Sequence, residues 1–164
     1  MRRLILMRHA KSDWGHVGLE DHDRPLNKRG KAAAKALGAW LRQARYVPDQ
    51  VICSSAERTG QTLLGLDLPA QTEVSFTRNL YLAEADEMRA LLSGATAQSV
   101  LMIGHNPGIA EMAERLVAIA PDHPRFFDYP TGATLVVDLD IKGWNEIGWH
   151  IGQPIDFIIP RELA

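Results

Sequence analysis

Three short apolar runs in this chain each stop on a cationic or titratable side chain. Leu4-Ile5-Leu6-Met7 ends on Arg8-His9. Val51-Ile52-Cys53 ends on Ser54-Ser55-Ala56-Glu57-Arg58. Val100-Leu101-Met102-Ile103 ends on Gly104-His105-Asn106. A continuous apolar run of this length, closed by polar turn residues, reads as a strand buried on both faces. Such strands belong to parallel sheets covered by helices. Packing gives no reason for an arginine or a histidine at a strand tip. In open α/β sheets, however, ligands bind beyond the carboxyl ends of the strands. Arg8, His9, Arg58 and His105 all fall there, so one pattern restricts both the fold and the place of a shared pocket.

The segments between these runs read as helices. Asn27 follows Pro25 and is a candidate N-cap, because its side chain can accept a bond from an orphan N–H. Ala33, Leu37, Trp40, Leu41 and Ala44 then recur on one helical face. A second helix is expected through Leu64. A third is marked by Met88, Leu91, Leu92 and Ala95. In a fourth, Pro107 sits in the first turn and Ile109, Met112, Ala113, Leu116 and Val117 form the apolar stripe. Residues 10–27 read as a loop, and residues 66–80 as irregular with a short strand near Val74-Ser75-Phe76. Ala133–Leu139 and Glu146–Ile151 are strand candidates joined through Lys142-Gly143-Trp144-Asn145, an antiparallel hairpin. Strand–helix alternation closed by a hairpin gives an α/β fold. Its three α/β/α layers surround a mostly parallel central sheet with a C-terminal antiparallel hairpin.

Length and composition narrow the role. The 164 residues suit one domain over the whole chain, 1–164, with one core. A net charge of −2 points to no nucleic-acid or membrane-surface partner, so any cationic site is local. The single cysteine leaves no internal disulfide. The N-terminal apolar run is too short for a signal peptide or a membrane span. A cytoplasmic location is expected.

The strand-end residues suit phosphate chemistry. Arginines offer planar forks of donors to phosphate oxygens. A neutral imidazole can attack phosphorus and split the reaction into two easier steps. Nearby arginines keep that imidazole neutral, because like charge disfavours the imidazolium. Water then releases phosphate from the phosphorylated ring.

Arg8-His9-Ala10 with Ser12 and Trp14 resembles the opening motif of the histidine phosphatase superfamily, which includes the cofactor-dependent phosphoglycerate mutases. Arg24-Pro25-Leu26 followed by Gly30, then Ser54 through Thr62, then Gly104-His105-Asn106-Pro107, match its later motifs in order. Ala10, the Gly-His-Asn-Pro segment and Pro130-Thr131-Gly132-Ala133 resemble the small SixA-type phosphohistidine phosphatases. The resemblance runs from residue 4 to about residue 140 and implies a phosphoglycerate mutase-like fold. It implies His9 as the phosphate-accepting nucleophile and Arg8, Arg58 and His105 as the rest of the phosphate pocket. Ser12 and Arg24 would be further substrate contacts. No cofactor and no metal are implied.

Two departures carry information. Many members have glycine after Arg-His, where this chain has Ala10. The acid-phosphatase branch has an aspartate proton donor after its second histidine, where this chain has Asn106. Glu84, just after Leu80-Tyr81-Leu82, is then the nearest candidate acid. An alkoxide needs a proton to leave. A phosphorylated imidazole can be protonated on its free nitrogen beforehand and leave neutral. A site without a strong acid therefore suits P–N cleavage. Only 46 residues separate Arg58 from His105, which implies a shallow, open pocket, although loop 10–27 could fold over it. The expected partner is a phosphorylated protein such as a phosphotransfer domain. Two alternatives stay open: a small-molecule phosphomonoesterase with the same machinery, and a non-catalytic phosphate-binding interaction module.

Other residues have structural readings. Cys53 and Arg58 are spaced Cys-x4-Arg, one residue short of the loop that cysteine-dependent phosphatases use, and Cys53 reads as a buried apolar residue. His22 with Asp23 reads as polar loop, His16, His123 and His150 show no ligand spacing, and Trp40, Trp144 and Trp149 read as packing residues.

Overall fold

The computed structural model describes residues 1–163. Strand β1 (Arg2–Arg8) sits between two cores. Leu4 and Leu6 face one cluster and Ile5 and Met7 the other, all without solvent exposure. Alternation of side chains across a strand makes a run of four apolar residues useful only when both faces are covered. The chain continues as α1 (Lys28–Gln43), β2 (Gln50–Ser54), α2 (Glu57–Leu66), β3 (Glu73–Thr77) and α3 (Ala85–Leu92). It closes with β4 (Ser99–Gly104), α4 (Gly108–Leu116), β5 (Thr134–Leu139) and β6 (Gln153–Ile158).

The strands form one sheet in the order β3-β2-β4-β1-β5-β6. β3, β2, β4 and β1 pair in parallel, and β5 runs antiparallel to both of its neighbours. Leu37 and Leu41 of α1 and Leu66 of α2 cover one face. Met88 and Leu92 of α3 with Ile109, Met112 and Leu116 of α4 cover the other. The three-layer α/β/α arrangement with a mostly parallel sheet is as expected. No helix among the described residues is long and apolar enough to cross a membrane.

Local expectations fare unevenly. Asn27 caps α1, accepting the Gly30 N–H at 2.8 Å. The Ile109–Val117 stripe is buried throughout, and the strand near Val74 is β3 at the sheet edge. Two expectations are corrected. The buried face of α1 is Gly30, Ala34, Leu37, Gly38 and Leu41, whereas Ala33, Trp40 and Ala44 are only half-buried. Small residues decide this rotation: a Cβ at Gly38 would lie 2.2 Å from the Leu66 carbonyl oxygen, so α1 packs against α2 through its glycine. The second hairpin strand is β6, beginning at Gln153, and not Glu146–Ile151. Trp144 instead turns into the core through a short 3-10 turn, its indole N–H donating to the Ala97 carbonyl at 2.6 Å. Pro154 is tolerated in β6 because that strand lies at the sheet edge.

The loop after β1 is held in place. Ser12 bridges to Leu26, the Asp13 N–H donates to Pro25 O at 2.8 Å, and the Asn27 N–H donates to Lys11 O at 3.0 Å. The first turn of α1 presses on this loop at Gly30, where a Cβ would lie 2.1 Å from Lys11 O. Alanine is the better helix former by about 1 kcal/mol. Overpacking against backbone costs about 1–3 kcal/mol or more and wins. Gly30→Ala is expected to lower the urea midpoint and to disturb Lys11 and Ser12. An unchanged or raised midpoint would refute the close approach.

Candidate active site

The carboxyl ends of β1, β2 and β4 meet in a cavity of about 400 Å3. Arg8, His9, Ser12, Arg24, Arg58 and His105 all line it. Register explains the meeting: Arg8 pairs with Gly104, and the His9 N–H extends the ladder by donating to Gly104 O at 3.1 Å. The rings of His9 and His105 are then 5.3 Å apart between centroids.

His9 is 5% exposed, and its Nδ1 lies 2.7 Å from Ala10 O. A carbonyl oxygen only accepts, so Nδ1 carries the proton and Nε2 keeps its lone pair. Burial pushes the His9 pKa down to about 3. The Ala10 carbonyl opposes this, and the guanidinium groups of Arg8, Arg58 and Arg24 reinforce it. The ring is therefore neutral at physiological pH, the form a nucleophile requires.

His105 is 1% exposed, and its Nε2 lies 2.7 Å from Ser54 Oγ at the tip of β2. Ser54 Oγ also accepts from the Ala56 N–H at 3.3 Å. Its hydroxyl proton has no other acceptor among the described residues, so it is donated to Nε2. The ring proton then sits on Nδ1, which is buried without a partner. Burial, chiefly, and the neighbouring His9 push the His105 pKa down to about 3 as well.

Two of the arginines, Arg24 and Arg58, are arranged around one carboxylate that the sequence did not single out. Arg58, 3% exposed, donates from Nη1 to Asp21 O at 2.6 Å and from Nη2 to Asp21 Oδ2 at 3.0 Å. Its Nε is buried and unpartnered. Arg24 donates from Nε and Nη2 to Asp21 Oδ1 and from Nη1 to Ser12 Oγ at 2.9 Å. The Tyr81 hydroxyl also donates to Asp21. Burial opposes the charge on Asp21, but the bonds from Tyr81, Arg58 and Arg24 outweigh it and hold the carboxyl well below the usual range. Arg8 donates from Nη1 to the Tyr129 carbonyl at 3.2 Å, and its Nε too is buried without a partner. On residues that line the cavity, three buried donors thus lack acceptors, Arg8 Nε, Arg58 Nε and His105 Nδ1, beside one unpartnered acceptor, Asn106 Oδ1. Buried polar groups are normally satisfied, so this cluster is the signature of an anion site. The N-terminus of α2, where Arg58 sits, adds positive potential. A cation in that first turn is unfavourable for the helix itself, and anion binding offsets this.

Asp21, Ser54, Tyr81 and Tyr129 were missed as parts of the site. Asp21 stands three residues before Arg24, the spacing of a single 3-10 turn (Asp21–Asp23), which is the one sequence signal for their contact. Tyr129 acts through its carbonyl, which also accepts from Asn106 Nδ2 at 3.1 Å, so its side chain gave no hint. Glu84 does not line the cavity; it is exposed at the N-cap of α3. Loop 10–27 forms one wall rather than a lid, contributing Lys11, Ser12, Trp14, Asp21 and Arg24. Trp14 stands 78% exposed at the mouth, with the Arg24 guanidinium 3.5 Å from its ring centroid. Cys53 is fully buried in β2, and burial pushes its thiol up to about 12, which excludes a thiolate nucleophile at neutral pH.

The two depressed histidines set a pH dependence. Their folded pKa values lie near 3, below the ordinary 6.5 of the unfolded chain. Below pH 6.5 the unfolded chain binds more protons, so stability is full above 6.5 and is lost progressively as pH falls toward 3. Thermal melts between pH 7.5 and 4 are expected to show a falling midpoint, with a shallower fall in His105→Gln. Parallel slopes in the two proteins would contradict neutral burial of His105.

Comparison with known proteins agrees with this geometry. The family model of the histidine phosphatase superfamily (branch 1) matches residues 4–86. An uncharacterized protein of Mycobacterium tuberculosis is 37% identical over 165 residues, covering 94% of this chain and 100% of the relative. An uncharacterized chloroplastic protein of Arabidopsis thaliana is 33% identical over 130 residues, and the match spans 59% of that relative's length. Among solved structures, a "putative phosphohistidine phosphatase SixA" from Nakamurella multipartitia is 30% identical, with a TM-score of 0.84 over 97% of this chain and 96% of that one. The motif order, the six-stranded topology and the converging strand-end residues share one origin: the chain belongs to the histidine phosphatase superfamily.

Proposed function

We propose that this chain is a metal-independent phosphatase that removes the phosphoryl group from phosphohistidine on a signalling or phosphotransfer protein, by way of a phosphorylated His9. The observation that carries the reading is the pairing of a free, neutral His9 Nε2 with three buried donors that have no acceptor. The Nε2 lone pair forms the new N–P bond while the substrate P–N bond breaks. The bonding pair passes to the departing imidazole nitrogen. With a proton already on its other nitrogen, that imidazole leaves neutral. Arg8, Arg58 and His105 hold the phosphoryl oxygens throughout; positioning and charge stabilisation are the main needs of phosphoryl transfer. Water then attacks phospho-His9, returns the electron pair to Nε2 and yields inorganic phosphate.

The substrate class follows from the lack of an acid at the cavity. Asp21 is held ionised, Asn106 has no titratable proton, and Glu84 lies outside. An alkyl phosphate would leave as a high-energy alkoxide there. The test is a single-turnover reaction with a phosphohistidine-bearing phosphotransfer domain, quenched in alkali, where the N–P bond survives, and mapped by mass spectrometry. Label is expected on His9. Its absence, with phosphate binding retained, would favour a binding module without turnover. A cavity of about 400 Å3 also suits a small molecule. Equal turnover of unactivated alkyl phosphates and the phosphoprotein would favour a small-molecule phosphomonoesterase.

A further inference from the structure

A second, larger cavity of about 920 Å3 adjoins the catalytic one and shares Lys11 and Thr131 with it. It is a groove between α1 and the C-terminal turn (Pro160–Leu163). We infer that this groove docks an acidic amphipathic helix of the phosphorylated protein substrate, so that the neighbouring phosphorylated side chain reaches His9. The inference rests on the reading of a protein substrate and adds how that protein is selected.

Charge is the first support. Lys11, Arg29, Arg125 and Arg161 line the groove, and no carboxylate among the described residues does. Arg125 is paired with Asp128 at 2.8 Å. For the side chains of Lys11, Arg29 and Arg161 no hydrogen bond or ion pair exists among the described residues. On a chain of net charge −2, this is a local cationic excess beside the active site. It would draw an acidic partner and repel a basic one.

Shape and chemistry are the second support. Ala33 and Ala36 of α1 with Ile159 and Leu163 give the groove an apolar floor. Small-molecule sites fix their ligands with a few precisely held polar groups. Here the charged groups sit on long, flexible side chains around apolar surface. That pattern matches a helix, about 10 Å across, with an apolar stripe flanked by acids. The third support is continuity. Because Lys11 and Thr131 belong to both cavities, a helix lying in the groove runs up to the phosphate pocket.

The test uses two fluorescent helical peptides of about 18 residues with the same apolar stripe, flanked by Glu in one and by Lys in the other. Anisotropy titrations of the full chain are expected to show the acidic peptide binding at least about tenfold more tightly, with salt weakening it. Arg29→Glu with Arg161→Glu is expected to reverse the preference, and Arg29→Gln with Arg161→Gln to abolish it. Neither residue lines the catalytic cavity, so turnover of p-nitrophenyl phosphate is expected to stay unchanged, which also reports correct folding. With phosphohistidine placed in both peptides, the charge-reversed variant is expected to raise KM for the acidic one and leave kcat alone. Equal binding of both peptides to the natural chain, or an acidic preference surviving charge reversal, overturns the docking site. Charge-selective binding without hydrolysis of the phosphohistidine peptides leaves the docking site standing and defeats the phosphohistidine reading. Hydrolysis of both peptides at equal rates with charge-blind binding does the reverse.

Discussion

A His9→Ala variant is expected to lose turnover altogether, by a factor on the order of 10^4 or more, the scale seen when a covalent nucleophile is removed. The tautomer of the ring decides this. With Nδ1 committed to the Ala10 carbonyl, Nε2 is the nitrogen free to attack. No other side chain replaces it. The rings of His9 and His105 are 5.3 Å apart, but the His105 Nε2 already accepts from Ser54, and its remaining nitrogen carries a proton. The thiol of Cys53 is buried and protonated. Truncation leaves a small void at a site open to the cavity, so the fold is expected to survive, and a thermal melt beside the assay checks this. His9→Gln is equally inactive in this scheme, since an amide matches much of the shape without a nucleophilic lone pair. Single-turnover labelling should vanish in both variants. Measurable label on another residue would move the nucleophile elsewhere.

The second large effect is expected at Arg58. Arg58→Ala should lower kcat about 10^2–10^3-fold, the range for losing one preorganised donor to a developing oxyanion. Arg58 loses more than a charge when truncated. Its Nη1 and Nη2 hold Asp21, and Asp21 in turn holds Arg24. The variant removes the unpartnered Nε donor and slackens the loop wall together. Arg58→Lys should recover little, because an ammonium is a point charge without the fork that satisfies phosphate and Asp21 together. A pH profile separates charge from geometry. Arg58 is one of the cations that depress His9, so its removal should raise the His9 pKa and move the acid limb of the rate upward. Arg58→Lys should leave that limb nearly in place while still losing kcat. Wild-type rates in Arg58→Ala would remove the phosphate clamp from the scheme.

The layered fold was legible because its signals are local. Runs such as Leu4–Met7 and Val100–Ile103 declare strands covered on both faces, and Asn27 declares a helix start at Lys28. Arg8, His9, Arg58 and His105 could be grouped because each directly follows an apolar run or lies one turn beyond it. The hairpin formed, but the bounds expected for its second strand were wrong. Glu146–Ile151 has a strand-like composition, but the connection is anchored by the buried Trp144, bonded to Ala97, and continues through a 3-10 turn, so the strand begins only at Gln153. The face of α1 was misjudged because the periodicity rule favours large side chains, whereas Gly30 and Gly38 are buried for their smallness.

What the order of residues settles alone is the chemistry: an imidazole and two guanidinium groups at strand ends, with no titratable acid beside the second histidine. These choices are written in residue identity. The tertiary structure decides the geometry that puts them to use. Parallel register sets Arg8 beside Gly104. A carbonyl selects the tautomer of His9, and a serine on another strand selects that of His105. Asp21 gathers Arg24, Arg58 and Tyr81 from three separate segments. Apart from the local Ala10 and Arg24 contacts, these join positions tens of residues apart through side chains and backbone groups common in any sequence. They acquire meaning only when packing brings them together and removes the water that would otherwise satisfy them.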